Sequence, residues 1–236
     1  MNNQKPAVIT IDGPGGSGKG TVGQRLAWKF KWEFLDSGAL YRLVGLSAIK
    51  NGVALDDVPN ITELARHLKA QFAVSEGEFG PESLTLLDDE DVSNQLRTED
   101  CASAASKVAQ YHPVRDALLE RQRAFRVSPG LVADGRDMGT VVFPDARLKI
   151  FLTASAEIRA ERRFKQLKGK GISANLAAIL AEIRARDERD SNRAVSPLVP
   201  AEDAIIIDTT EMSVNDVEAR VQELAKLTFR IDELSG

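Results

Sequence analysis

Val8-Ile-Thr-Ile-Asp12, running directly into Gly13-Pro14-Gly15-Gly16-Ser17-Gly18-Lys19-Gly20-Thr21, is the stretch that decides the fold. A β-branched run, a glycine-rich turn and then helical spacing from near Lys19 read as strand, loop and helix in succession. Glycines let a backbone wind around an anion with its N–H groups inward, and a helix N-terminus adds partial positive charge at the same point. Residues 13–21 are therefore expected to bind nucleotide phosphates, with Lys19 at the β- and γ-phosphates. Gly20 occupies the usual hydroxyl position, so the hydroxyl expected near Mg²⁺ is that of Thr21.

Outward from this loop, short apolar runs alternate with helical segments, the pattern of a parallel sheet covered by helices. The expected strands are Ala7–Asp12, Trp32–Asp36, Leu131–Asp134, Leu148–Thr153 and Ala204–Asp208, an α/β fold with a five-stranded parallel core sheet. Ser213-Val-Asn-Asp216 offers a capping box before a final amphipathic helix. Gln71–Ser75 and Ser83–Leu87 break the rhythm and read as a hairpin around Glu76-Gly-Glu-Phe-Gly-Pro81. Residues 63–103 are read as an inserted small subdomain, with the core at 1–62 and 104–236. The acidic run Asp88–Asp91 is expected to be a solvated turn without chemistry.

Composition narrows the function classes. The 236 residues carry 31 Lys+Arg against 35 Asp+Glu, a net charge of -4, so a broadly basic nucleic-acid surface is excluded and any anion site is local. The polar start Met1–Pro6 lacks a secretory h-region, no apolar run reaches membrane-spanning length, and Cys101 has no disulfide partner. These features lead us to expect a soluble, cytoplasmic protein with neither membrane nor nucleic-acid partner. His67 and His112 lack metal-ligand spacing, Cys101 is expected to pack, and Trp28 and Trp32 are expected to lie against the sheet.

Arginines supply the remaining polar signal. In Asp36-Ser37-Gly38-Ala-Leu-Tyr41-Arg42, Ser37 reads as a helix cap at the ligand edge of the sheet, where Ser37 and Arg42 are suited to a phosphate; alone, they read more readily as an ordinary cap and a surface arginine. Asp134-Gly-Arg136-Asp137 ends the third strand with two flexible glycines nearby. Arg186, Asp190 and Arg193 fall at i, i+4 and i+7, one helical face, which alone reads as a surface salt-bridge ladder. Arg159, Arg162 and Arg163 likewise share a face leading into Lys165–Gly171 and read as a lid over approximately 159–172.

Taken together, GPGGSGKGT at 13–21, DSGALYR at 36–42, ADGRDMGTVVFPDA at 133–146, RDERDSNR at 186–193 and SPLVPAEDAIIIDT at 196–209 resemble the bacterial cytidylate kinases, relatives of adenylate kinase. The resemblance implies a P-loop kinase with a monophosphate-binding insert and a short lid. It implies ATP-dependent phosphorylation of CMP and dCMP in pyrimidine nucleotide metabolism, with Mg²⁺ accompanying ATP, in a monomeric enzyme. By the same resemblance Ser37, Arg42, Arg136 and Arg193 hold the acceptor phosphate, Tyr41 belongs to the substrate site, Arg186 and Asp190 engage the ribose, and Ser106, Arg115 and Asp137 read the base. Cytosine presents an amino donor beside N3 and O2 acceptors, which a carboxylate, a hydroxyl and a guanidinium complement. Lys19, Arg136, Arg159 and Arg163 are expected to stabilise the transferring group, and Asp134 to orient Mg²⁺ through water, with Asp208 the weaker choice. A kinase for UMP or shikimate would lack the base-reading set, and a GTPase switch would need an NKxD stretch that does not occur.

Overall fold

The computed structural model describes residues 5–77, 80–169 and 171–230. Glu78 and Phe79 of the expected hairpin turn, Lys170 of the expected lid and the first four residues lie outside them. Residues Ser37–Arg121 form one compact unit and the flanking stretches form another. The segment 63–103 read as an insert is the inner part of the former.

The larger unit is built on a five-stranded sheet of β1 (Ala7–Asp12), β2 (Glu33–Asp36), β6 (Gly130–Gly135), β7 (Leu148–Thr153) and β8 (Ile205–Asp208). Every neighbouring pair is parallel, in the order β2-β6-β1-β7-β8. Parallel strands need crossover helices, and these supply α1 (Lys19–Phe30), α6 (Ala156–Gly169), α7 (Leu176–Ser191) and α8 (Val214–Phe229). Burial on both faces explains why β1 and β6 read as near-continuous apolar runs. Ile9, Ile11, Leu26, Val132, Ile150 and Val221 pack in one core cluster. The capping box at Ser213 and Asp216 opens α8 as its sequence requires.

The registers bring strand C-termini together. Asp36 lies opposite Asp134, and Asp12 opposite Gly135. Immediately after β1, Gly13 adopts φ +147, where a Cβ would sit 2.0 Å from the Leu152 carbonyl oxygen. Only glycine allows the chain to leave the sheet this closely packed.

The smaller unit holds α2 (Ser37–Lys50), α3 (Val58–Arg66) and an antiparallel sheet of β3 (Ala70–Gly77), β4 (Gly80–Leu87) and β5 (Glu90–Asp91). It continues into α4 (Glu99–Val108) and the start of α5 (His112–Ala124). Asp57 and Thr98 cap α3 and α4, and Gly45 lets α2 approach Ala104 closely. The acidic run is only half a turn: Asp88 and Asp89 take positive φ, whereas Glu90 and Asp91 pair with β4 and Glu90 bridges to Lys50. A third strand therefore accompanies the expected hairpin.

Trp28 also departs from expectation, being 58% exposed on α1. Trp32 does pack, edge-on to Phe229 at 5.4 Å and beside Phe30 at 5.7 Å, over the space left by Gly130. The sequence sets both aromatics beside the first strands but does not say which ring turns inward. Trp32→Ala is expected to cost roughly 2–4 kcal/mol and Trp28→Ala under about 0.5 kcal/mol, read from urea unfolding midpoints.

Candidate active site

The Gly13–Thr21 loop closes on itself. Ser17 Oγ and Lys19 Nζ both donate to the Pro14 carbonyl, at 3.0 and 3.1 Å, and Gly16 and Gly18 take positive φ. Lys19 Nζ stands 3.8 Å from Asp134 Oδ1. Burial and the Arg136 guanidinium pull the Lys19 ammonium down to about 8, with Asp134 opposing them. A cation held at this cost is ready for an incoming polyanion. Thr21 is exposed in the first turn of α1, while the would-be Cβ of Gly20 lies 3.0 Å from Asp134 Oδ2.

A second cluster lies against the tip of this loop. Asp190 accepts from Arg136 Nε at 2.9 Å and pairs with Arg193, and Arg186 Nε stands 4.0 Å away. Burial would raise the Asp190 carboxyl, but Arg136, Arg193 and Arg186 outweigh it and hold the group below the usual carboxylate value. A Cβ on Gly15 would meet Arg136 Nη2 at 3.6 Å and Arg186 Nη1 at 3.8 Å, so the two guanidiniums border the loop. Arg193 follows the Asn192 cap of α7 and does not lie on the helical face that spacing predicts. Its pairing with Asp190 survives because the chain turns back there.

The expected lid arginines do not form one shared basic face. Arg159 is 4% exposed: Nε donates to Ala154 O, Nη1 to Gly15 O, and both terminal nitrogens to Asp187 at 3.0 and 2.5 Å. Arg162 turns the other way and donates to the Thr209 carbonyl at 2.6 Å and its hydroxyl at 3.1 Å. Arg163 contacts Gln166 on the surface. Residues three and four apart share a helix face, but side-chain length lets each choose a different partner.

In the smaller unit, Ser37 is itself the first residue of α2 rather than its cap. Arg42 Nη1 donates to Leu96 O at 3.3 Å, while its buried Nε has no acceptor among the described residues. Arg115 is buried, donates to Ala109 O and lies 5.5 Å from the centre of the Tyr41 ring. Ser106 is buried on α4, and the buried Cys101 thiol donates to the Arg42 carbonyl.

One residue escaped the sequence reading. Asp12, the last residue of β1, is buried and accepts from Met138 N and Gly139 N, each at 2.8 Å. Burial pushes its carboxyl up to about 7 against these two donors, with smaller pushes from Asp137 and Asp134. Asp208, by contrast, is exposed and bonded to Thr210.

The model of the family described as cytidylate kinase matches residues 9–227 of this chain. The chain belongs to the cytidylate kinase family. It is 58% identical over 227 residues to a Pseudomonas putida (strain W619) cytidylate kinase, covering 96% of this chain and 98% of that one. A Shewanella sediminis cytidylate kinase is 54% identical over 215 residues, covering 91% and 93%. A Sinorhizobium meliloti gluconokinase structure aligns over 97% of each chain at 17% identity and TM-score 0.47, too remote a likeness to carry an argument. Membership makes the chain a nucleoside-monophosphate kinase, an ATP-dependent enzyme of the P-loop fold. No helix among the described residues is long and apolar enough to cross a membrane.

The two perturbed carboxylates have opposite effects on stability. Asp190 lies below its unfolded value, so its contribution is present above about pH 4 and lost as pH falls through the folded value. Asp12 lies above, so its contribution is complete below about pH 4 and lost as pH rises through about 7. Asp12→Asn has no such ionisation and should gain on the parent chain by up to about 4 kcal/mol between about pH 4 and 8. Urea midpoints across that range measure the slope; a constant difference would contradict it.

Proposed function

We propose that the chain transfers the γ-phosphoryl group of MgATP to the phosphate of CMP or dCMP by direct in-line attack. An acceptor phosphate oxygen forms the new P–O bond while the bond from the γ-phosphorus to the β,γ-bridging oxygen breaks, giving ADP and CDP or dCDP. The acceptor is already ionised near neutral pH, so no general base is required, and catalysis rests on positioning and charge neutralisation. The observation that carries this reading is the Asp190-held set of Arg136, Arg186 and Arg193, with Arg136 and Arg186 bordering Gly15. Such a set would supply cations where two polyanions must approach one another.

Each residue then has a task. The Gly13–Thr21 backbone and Lys19 take the ATP phosphates. Arg136 and Arg193, with Ser37, Tyr41 and Arg42, take the acceptor phosphate; the buried Arg42 Nε lacking an acceptor supports this. Asp190 orients the arginines and, with Arg186, meets the ribose. Ser106, Arg115 and Asp137 read cytosine, where a carboxylate facing the uracil carbonyl loses a hydrogen bond.

Arg159 bonds the Gly15 carbonyl, which fits it to hold the loop, while Arg163 remains the lid residue assigned to the transferring phosphate. Mg²⁺ suits a site with one carboxylate, Asp134, and one exposed hydroxyl, Thr21, because it keeps most of its ligands as water and substrate phosphate. When bound it supplies charge neutralisation at the β- and γ-phosphates. Cytoplasmic location, a monomeric state and a place in pyrimidine nucleotide metabolism complete the reading.

ADP formation measured with CMP, dCMP, UMP, AMP and shikimate tests the acceptor assignment: CMP and dCMP should dominate, and preference for another acceptor would overturn it. Lys19→Ala should lower kcat on the order of 10²–10³-fold in the same assay; an unimpaired variant would remove Lys19 from the phosphates.

A further inference from the structure

We infer that Asp12 is a positioning residue for the acceptor: its buried carboxylate holds the turn that carries Arg136 and Asp137, and thereby sets both cytidylate affinity and base choice. The inference rests on the reading above in which Arg136 meets the acceptor phosphate and Asp137 the base.

The backbone geometry makes the case. Asp12 pairs with Gly135 across the ladder of β1 and β6, the last register point before β6 ends. The chain is caught again at Met138 and Gly139, whose N–H groups each donate 2.8 Å bonds to a separate oxygen of the same Asp12 carboxylate. Arg136 and Asp137 are the two residues strung between these anchors. Two residues have few soft dihedrals, so a shift at the second anchor moves both side chains.

The anchors are themselves rigid. A Cβ on Gly13 would sit 2.0 Å from the Leu152 carbonyl oxygen, so the residue after Asp12 lies close against β7. A Cβ on Gly139 would come within 2.9 Å of Thr10 Oγ1 and 3.1 Å of Lys149 Cδ, so the turn lies flush on β1 and β7. Met138 and Gly139 open a short π-helical turn, Met138–Val142, whose first N–H groups have no carbonyl partner within the turn. A carboxylate fork satisfies two of them at once, which an amide, with one acceptor, does not. Asp134 and Asp137 add like charge beside Asp12, and burial raises its carboxyl, so stability alone does not favour an acid at this position.

Asp12→Asn keeps the volume and loses one acceptor. Steady-state kinetics with ATP, CMP and UMP should show KM for CMP raised about tenfold, the CMP over UMP ratio of kcat/KM reduced about tenfold, and KM for ATP within about twofold of the parent. Gly139→Ala displaces the same turn from its other side and should give the same selective pattern; it decides the matter if Asp12→Asn does not fold. Equal rises in both KM values, or a fall in kcat with KM and base ratio unchanged, would overturn the inference. Asp137→Asn serves as the control. If it abolishes base preference while folded Asp12→Asn retains the parent KM for CMP and base ratio, Asp12 does not position the turn. If Asp137→Asn leaves base preference intact, the base-reading assignment falls, and Asp12 is then judged by KM for CMP alone.

Discussion

Asp190 draws Arg136, Arg193 and Arg186 around a carboxylate whose side chain is 1% exposed, and the arrangement of charge beside the glycine-rich loop follows from that ion cluster. Two like charges 4 Å apart repel by about 4 kcal/mol even at an effective dielectric near 20, so guanidiniums do not gather unaided. A single buried carboxylate offsets the repulsion and fixes their forks before any nucleotide arrives. On the proposed function, the residual positive charge beside Gly15 meets substrate phosphates without side-chain reorganisation, which is how electrostatic preorganisation lowers a barrier.

The sheet makes this possible by delivering several functional residues to one edge. Parallel pairing aligns the C-terminal ends of β1, β2 and β6, so the glycine-rich loop, Asp36 and Asp134 emerge side by side. The arrangement has a cost in the fold's own stability. Lys19 is buried beside Arg136, and Asp12 is buried beside Asp134 and Asp137; each is displaced toward neutrality. Such conflicts are characteristic of sites tuned for a bound ligand, and the apolar cluster of β1, β6, β7, α1 and α8 supplies the compensation.

Local signals in the sequence were legible to within a residue or two. Ala7–Asp12 and Leu148–Thr153 stand as read, β2 and β8 start one residue late and β6 extends one residue at each end, because β-branched runs bounded by turn residues leave little choice. The loop was legible because its whole mechanism is contained in nine consecutive residues. Long side chains were not. Periodicity places Arg159, Arg162 and Arg163 on one face but does not foretell that Arg159 reaches Asp187 and Gly15 while Arg162 reaches Thr209. Asp12 reads from sequence as the end of a strand; its role depends on N–H groups 126 and 127 positions away. The pairing of Asp190 with arginines of its own segment was legible from spacing, yet its bond to Arg136, 54 positions away, appears only in three dimensions.

Calorimetric titration with CMP and with cytidine, on the parent chain and on Asp190→Ala, addresses the preassembled arginine cluster most directly. A cluster organised by Asp190 requires the phosphate to strengthen binding by at least about 10²-fold in the parent, roughly the worth of two charge-assisted hydrogen bonds, and requires that advantage to shrink sharply in the variant. Equal affinities for CMP and cytidine, or a phosphate advantage untouched by removing Asp190, would contradict it.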